Sequence, residues 1–481
     1  MPRCRTLCAI AGLVSFICMP GCGKDNGPIV GGGNNAQISL TIHDAPPLGT
    51  TVLSLQVQVK SAMLQPGNVS ITLPETVELT QLQSDTTLLS SLQIPSGTYT
   101  SLTIDFENPT LIFINNTGGP ITPNQNPTCA AGAICTITPV EINGNTFTFT
   151  TAPFPLNIAP NAEVGLELDV DMADLVRPDF SLDFSNGGSL SIAQLASVQG
   201  AAEIRRLRHV LGTVKLVQTN FFSFTTPTGV LMGIDADSNT IFNFPGCIAN
   251  NFSCVKANQV LEVDISLEGN GTLLAKEVDL EADVSVEEIS GLIVSLGPGS
   301  PPSNFQMLVR QASPAVTIAA VGAVETIGIG AGTTFAVDHH SFVLPGGLTF
   351  TSAAGLLVGQ EMLADVTIVQ APSLVITTKA LALRRSQVTA LVSTAPTPGG
   401  STFVLNPLPS LFQTALPTNI LSLQVDTTAQ TVFENLTPNT IAGVLQGNNV
   451  SVGGFLFNTQ PSPGTFRIAV DAVRGQPLPG P

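Results

Sequence analysis

From Gln37 onward, apolar and polar residues alternate with a period of two. Ile38, Leu40 and Ile42 follow this spacing, and after the turn Asp44-Ala45-Pro46-Pro47 so do Leu53, Leu55, Val57 and Val59. Side chains two apart on a strand share a face, so the pattern predicts half-buried antiparallel strands with one side on a core. Further strands are predicted at 77–82 and 88–92, at 101–106 behind the turn Ile94-Pro95-Ser96-Gly97-Thr98-Tyr99, at 146–150, and along Val164, Leu166, Leu168, Val170 and Met172. Only 88–92 and 192–198 could make short helical turns. Residues 36–200 therefore read as an all-β sandwich.

Beyond residue 204 the chain repeats itself. One unit opens with Leu211-Gly212-Thr213-Val214 and passes Asn258-Gln259-Val260. A second opens with Ser290-Gly291-Leu292-Ile293 and passes Gly359-Gln360-Glu361. A third opens with Thr389-Ala390-Leu391-Val392 and passes Gly447-Asn448-Asn449. The period, on the order of 80–100 residues, exceeds that of solenoid repeats and marks whole domains in tandem. Each unit has room for about five or six strands, enough for a small β-barrel-like module. The expected modules are 204–285, 286–386 and 387–476.

The N-terminus has another pattern. Arg3 and Arg5 precede a short apolar stretch and small Gly21, as in a secretory signal, giving a signal peptide over 1–21. Met19-Pro20-Gly21-Cys22 resembles a bacterial lipobox, which implies lipid on Cys22 and a membrane held through that lipid. A Gly-rich tether, 22–35, would link the anchor to the sandwich.

Composition narrows the function. The formal charge is −17, and −19 once Arg3 and Arg5 leave with the signal. That acidity argues against nucleic acid and anionic lipid headgroups as electrostatic partners. With no Trp and only one Tyr, the chain lacks the aromatic girdles of a membrane-spanning β-barrel. Four cysteines remain beyond Cys22, in two close pairs. Cys129/Cys135 and Cys247/Cys254 are expected as disulfides closing short loops, the local one of three possible pairings.

Two resemblances extend this reading. Leu40-Thr41-Ile42-His43-Asp44-Ala45-Pro46 and Pro95-Ser96-Gly97-Thr98-Tyr99 resemble the bacterial lipoprotein family called domain of unknown function 4382, with His43 where its members carry Thr. The resemblance implies a secreted, Greek-key-like β domain and brings no activity. The repeated Gly-x-Val and Gly-Gln-x-Val strands are similar to domain of unknown function 5666, which implies tandem β-barrels and no site.

Candidate chemistry is sparse. Asp235-Ala236-Asp237-Ser238-Asn239 imitates a calcium loop, but Thr240 and Gly246 stand where an EF-hand needs Gly and Glu; a turn is expected. Asp338-His339-His340 reads as a solvent-facing loop. Glu167, Asp169 and Asp171 share one strand face, as do Glu277, Asp279, Glu281 and Asp283; both faces read as solvated. Arg205-Arg206, Arg208 and Arg384-Arg385 precede opening strands, and pairing with acidic strands of neighbouring domains would set interdomain angles. No catalytic motif, metal site or cofactor is expected.

The expected function is non-enzymatic: a lipid-anchored lipoprotein of the outer membrane or cell surface, acting in binding, as a stalk or in adhesion. Its partner would be an envelope protein or a surface glycan. An extracellular hydrolase using the acidic faces, or a structural subunit of envelope assembly, are the alternatives.

Overall fold

The computed structural model describes residues 35–476 apart from 46–51, 72–74, 83–86, 116–117, 124–127, 195–206, 227–230, 268–272, 283–286, 314, 317–320, 340–341, 370–374, 414–419 and 460–465. Cys22, Arg205, Arg206, His340 and Asp283 lie outside the described residues. The fold is all-β: a sandwich followed by three barrels, the second and third closed and five-stranded, the first a six-stranded sheet closed by one further pairing.

One sheet of the sandwich orders Leu190–Gln194, Glu163–Asp171, Asn35–Ala45 and Thr87–Pro95. The other is built on Val52–Gln65 and Ser101–Ile114. Ile38, Leu40 and Ile42 face the core between the sheets, together with Leu55, Val57, Phe106 and Leu166. Two expectations are corrected. Asn35–Ala45 runs parallel to Glu163–Asp171, because the intervening strands carry the chain round to the same end of the sandwich. The segments 88–92 and 192–198 hold no helical turn among the described residues; 87–95 and 190–194 are strands whose polar edges pair in the sheet.

The three barrels share one connectivity. In each, the first strand pairs with the second and fourth, and the third lies parallel to the fifth. Barrel 1 splits its third strand into Leu231–Asp235 and Ile241–Asn243, both against the fifth, Leu273–Ala282. Among the described residues a short 3-10 turn precedes each fourth strand: Phe252–Cys254, Ala353–Gly355 and Ile441–Gly443. This is a Greek-key barrel with the connectivity of an OB-fold.

The repeated motifs have a physical origin. Asn258, Gly359 and Gly447 take left-handed φ values of 70°, 90° and 86°. The turn lets the next side chain accept a backbone N–H three residues back: Lys256 to Gln259 Oε1 (2.7 Å), Leu357 to Gln360 Oε1 (2.7 Å), Leu445 to Asn448 Oδ1 (2.6 Å). The same turns bond Val214, Ile293 and Val392 of the opening strands through paired backbone contacts. Gly212 and Gly291 press against the second strand. A Cβ at Gly291 would stand 2.0 Å from the Leu308 carbonyl oxygen. Gly-x-Val and Gly-Gln-x-Val are thus two halves of one barrel-closing contact.

The domains are packed together. Leu53, Ile112 and Ile114 of the sandwich join the core of barrel 2, which also takes in Phe455, Phe457 and Ala469 of barrel 3. Leu88 joins the core of barrel 1. Barrel 2 ends at Arg384 and barrel 3 begins at Ser386, leaving Arg385 as the whole linker.

Candidate functional site

A cleft of about 1070 Å³ opens where the four domains meet, and each contributes to its wall. Period-two alternation places its polar groups. In Val260–Leu267, Leu261, Val263 and Ile265 fill the barrel while Glu262 and Asp264 point out. On the neighbouring strand Glu277 stands opposite Asp264, and Asp279 opposite Glu262. Like charges directly across a sheet repel. Two groups relieve this: Asn243 Nδ2 donates to Glu277 Oε1 and Asp279 Oδ1, at 2.7 Å each, and Arg384 reaches Glu262 at 3.3 Å.

The expected solvated face at Glu277–Glu281 is therefore corrected. Asp279 and Glu281 are 5% and 3% exposed: Asn243 covers the first, and barrel 2 brings Arg384 down onto the second. Arg384 pairs with Glu262 and Glu281 of barrel 1 and lies 3.7 Å from Asp338 of its own barrel. Its neighbour Arg385 turns the other way and grips Asp471 of barrel 3 at 2.7 and 3.0 Å. The side chain of Arg208 is not described, and Arg205 and Arg206 fall outside the described residues.

On the opposite wall Arg310 Nη1 pairs with Glu361 at 2.6 Å, and its Nη2 donates to the Leu53 carbonyl at 2.9 Å. Burial pushes the Glu361 carboxyl up; Arg310 pulls it down and nearby Glu78 pushes it up again. Glu78 itself accepts from the backbone N–H of Leu55 (2.9 Å) and Thr80 (3.2 Å) and from the Ser54 and Thr80 hydroxyls. Both carboxylates are held by neighbours.

The other acidic face is also covered. Arg474, at the end of barrel 3, pairs with Glu167 at 2.8 Å, and Gln476 Nε2 donates to the Asp44 carbonyl at 3.5 Å. Burial lifts Asp169 to about 6; Arg474 opposes the rise, while Asp171 and Glu167 add to it. This face lies outside the cleft wall and acts as an interdomain contact.

The calcium-like loop is a turn that locks a barrel. Asp237 Oδ1 accepts the Asn239 N–H at 2.8 Å, and Thr240 accepts the Asp237 N–H and donates to the Ala275 carbonyl. Thr333 makes the same two bonds to Gly330 and Thr378, and Thr431 to Thr428 and Val470. Each threonine holds a third strand against a fifth. No local motif marks these threonines; they fall into register only when the three units are aligned at their third strands.

His339 is exposed at the cleft rim, beside half-buried Asp338. Among the described residues, no three metal-ligating side chains converge. Cys129–Cys135 and Cys247–Cys254 are bonded, each with Cα atoms 6.0 Å apart. Such bonds fit maturation in an oxidising compartment outside the cytoplasm. No helix among the described residues is long and apolar enough to cross a membrane.

Residues 35–193 match the family model Domain of unknown function (DUF4382). The match covers the sandwich and stops before the barrels, so the cleft draws one wall from that domain and three from outside it. No curated protein matches the chain.

Proposed function

We propose that this is a non-enzymatic, lipid-anchored envelope protein that binds its partner in the four-domain cleft. One observation carries the binding reading: a cavity of about 1070 Å³ whose wall is assembled from all four domains. Recognition sites concentrate at domain interfaces, where separate walls each supply groups. Mutual packing favours a binding body over an extended stalk. The barrels resembling domain of unknown function 5666 serve as wall segments in this reading.

Glu361 and Glu78 speak against catalysis. A hydrolytic carboxyl pair needs one protonated member free to deliver its proton. Arg310 holds Glu361, and four hydrogen-bond donors surround Glu78. One observation favours a hydrolase, the raised carboxyl of half-buried Glu361 beside a second carboxylate. Loss of a glycan-cleaving activity in Glu361→Gln, with the fold intact, would establish that alternative.

The anchor is tested by the intact mass of the mature N-terminus together with protease shaving of whole cells. A diacylglyceryl mass on Cys22 and loss of the protein on shaving are expected. An unmodified Cys22 would remove the anchor. The cleft is tested by Thr213→Trp, which fills it from the first strand of barrel 1. Growth-phase envelope fractions should retain the wild-type chain in a complex and release this variant; equal retention would move the binding surface elsewhere.

A further inference from the structure

We infer that the partner enters the cleft as an extended, basic segment of polypeptide. This rests on the cleft reading above. The volume of about 1070 Å³ stands at the top of the ~300–1,000 Å³ range of small-ligand pockets, which suits a stretch of chain better than a compact metabolite.

Charge selects the kind of chain. Among the described residues the wall holds eight carboxylates against the three arginines Arg310, Arg384 and Arg385, with His339 at the rim. The arginines are engaged with Glu361, Glu262 and Asp471, so the balance facing an incoming ligand is negative. A recessed cleft focuses that field, raising local cation concentration and association rate. The lining is not uniformly polar: Leu211, Val321 and Val432 offer apolar contacts between the acidic positions. A basic peptide with small or apolar residues between its Lys or Arg side chains matches both features.

A sugar chain matches less well. Carbohydrate sites stack rings on Trp or Tyr, and this chain has no Trp. Its single tyrosine, Tyr99, is buried in the sandwich with its hydroxyl donating to the Pro95 carbonyl. An anionic polymer would meet the wall's excess charge.

The test uses fluorescence anisotropy on the full chain carrying Cys22→Ser, with three labelled probes: an alternating Lys-Thr peptide, its Glu-Thr counterpart, and a neutral β-1,4-linked glucose oligosaccharide. Only the Lys-Thr peptide should bind saturably, and about tenfold more weakly as ionic strength rises to about 0.5 M. Thr213→Trp should abolish binding by occlusion. The double variant Asp264→Asn/Glu277→Gln should weaken it several-fold, while the amide oxygen it introduces still accepts from Asn243. Circular dichroism would check that both variants fold.

Equal Lys-Thr binding to both variants would mean attraction by the general acidic surface and would overturn the proposal. Binding of the Glu-Thr or glucose probe, lost in Thr213→Trp, would overturn the basic segment and leave the cleft standing. Binding of no probe would also overturn it, and the envelope-retention experiment would then decide the cleft separately.

Discussion

At the scale of single residues, the structure turns polar groups into struts. Thr333 accepts from Gly330 and donates to Thr378, as its counterparts do in the other barrels. Thr333→Val keeps the shape and removes both bonds, so a loss of about 1–2 kcal/mol is expected in chemical denaturation, with Thr333→Ser near wild type. Asp169 gives a pH signature. Burial raises its folded pKa to about 6 from 3.8, so the fold holds a proton that the unfolded chain releases. That contribution is complete below 3.8 and is lost as pH rises through about 6. Asp169→Asn should therefore stabilise the chain at neutral pH by on the order of 2 kcal/mol, and the gain should fade in titrations toward about pH 4. A pH-independent difference would contradict the assignment.

At the scale of elements, the strand alternation was legible while the surroundings of each outer face were not. Leu168 and Val170 point into the core as their spacing demands, yet Glu167 and Asp169 on the far side meet Arg474, 307 residues beyond Glu167 and in another domain. Period two reports which residues share a face; it says nothing of what covers that face. The Arg384-Arg385 joint was legible because consecutive residues on extended chain point to opposite sides. Here they join different domains. Arg384→Gln would take from Glu281, its side chain 1% exposed, the guanidinium it shares with Glu262. Removing one partner from a buried pair costs about 3–5 kcal/mol, and Arg384→Lys should recover only part of it. Gly291→Ala should cost about 1–3 kcal/mol through its collision with the Leu308 carbonyl, read as a lowered denaturation midpoint.

At the scale of the molecule, the shared cores join sandwich and barrels into one body. Leu53, Ile112 and Ile114 are buried in one cluster with the core of barrel 2. A compact chain of the described span has a radius of gyration of about 22 Å, and loosely strung domains would exceed this clearly. Small-angle scattering should give the compact value for the wild type and a larger one for Ile112→Asp, which places an unpaired charge in that interface. An unchanged radius in the variant would show that the apolar contact does not hold the domains together.

The sequence by itself determined the β class, the sandwich, the repeating modules and the cysteine pairs brought within bonding distance. All of these follow from local signals: a period of two, a turn needing positive φ, two cysteines six or seven residues apart. Only the tertiary structure decided the parallel pairing of the first strand, the covering of both acidic faces, and the cleft itself. Those depend on which outer surfaces meet, and that choice follows from shape and charge complementarity among residues hundreds of positions apart. No short window of sequence contains both sides of such a contact.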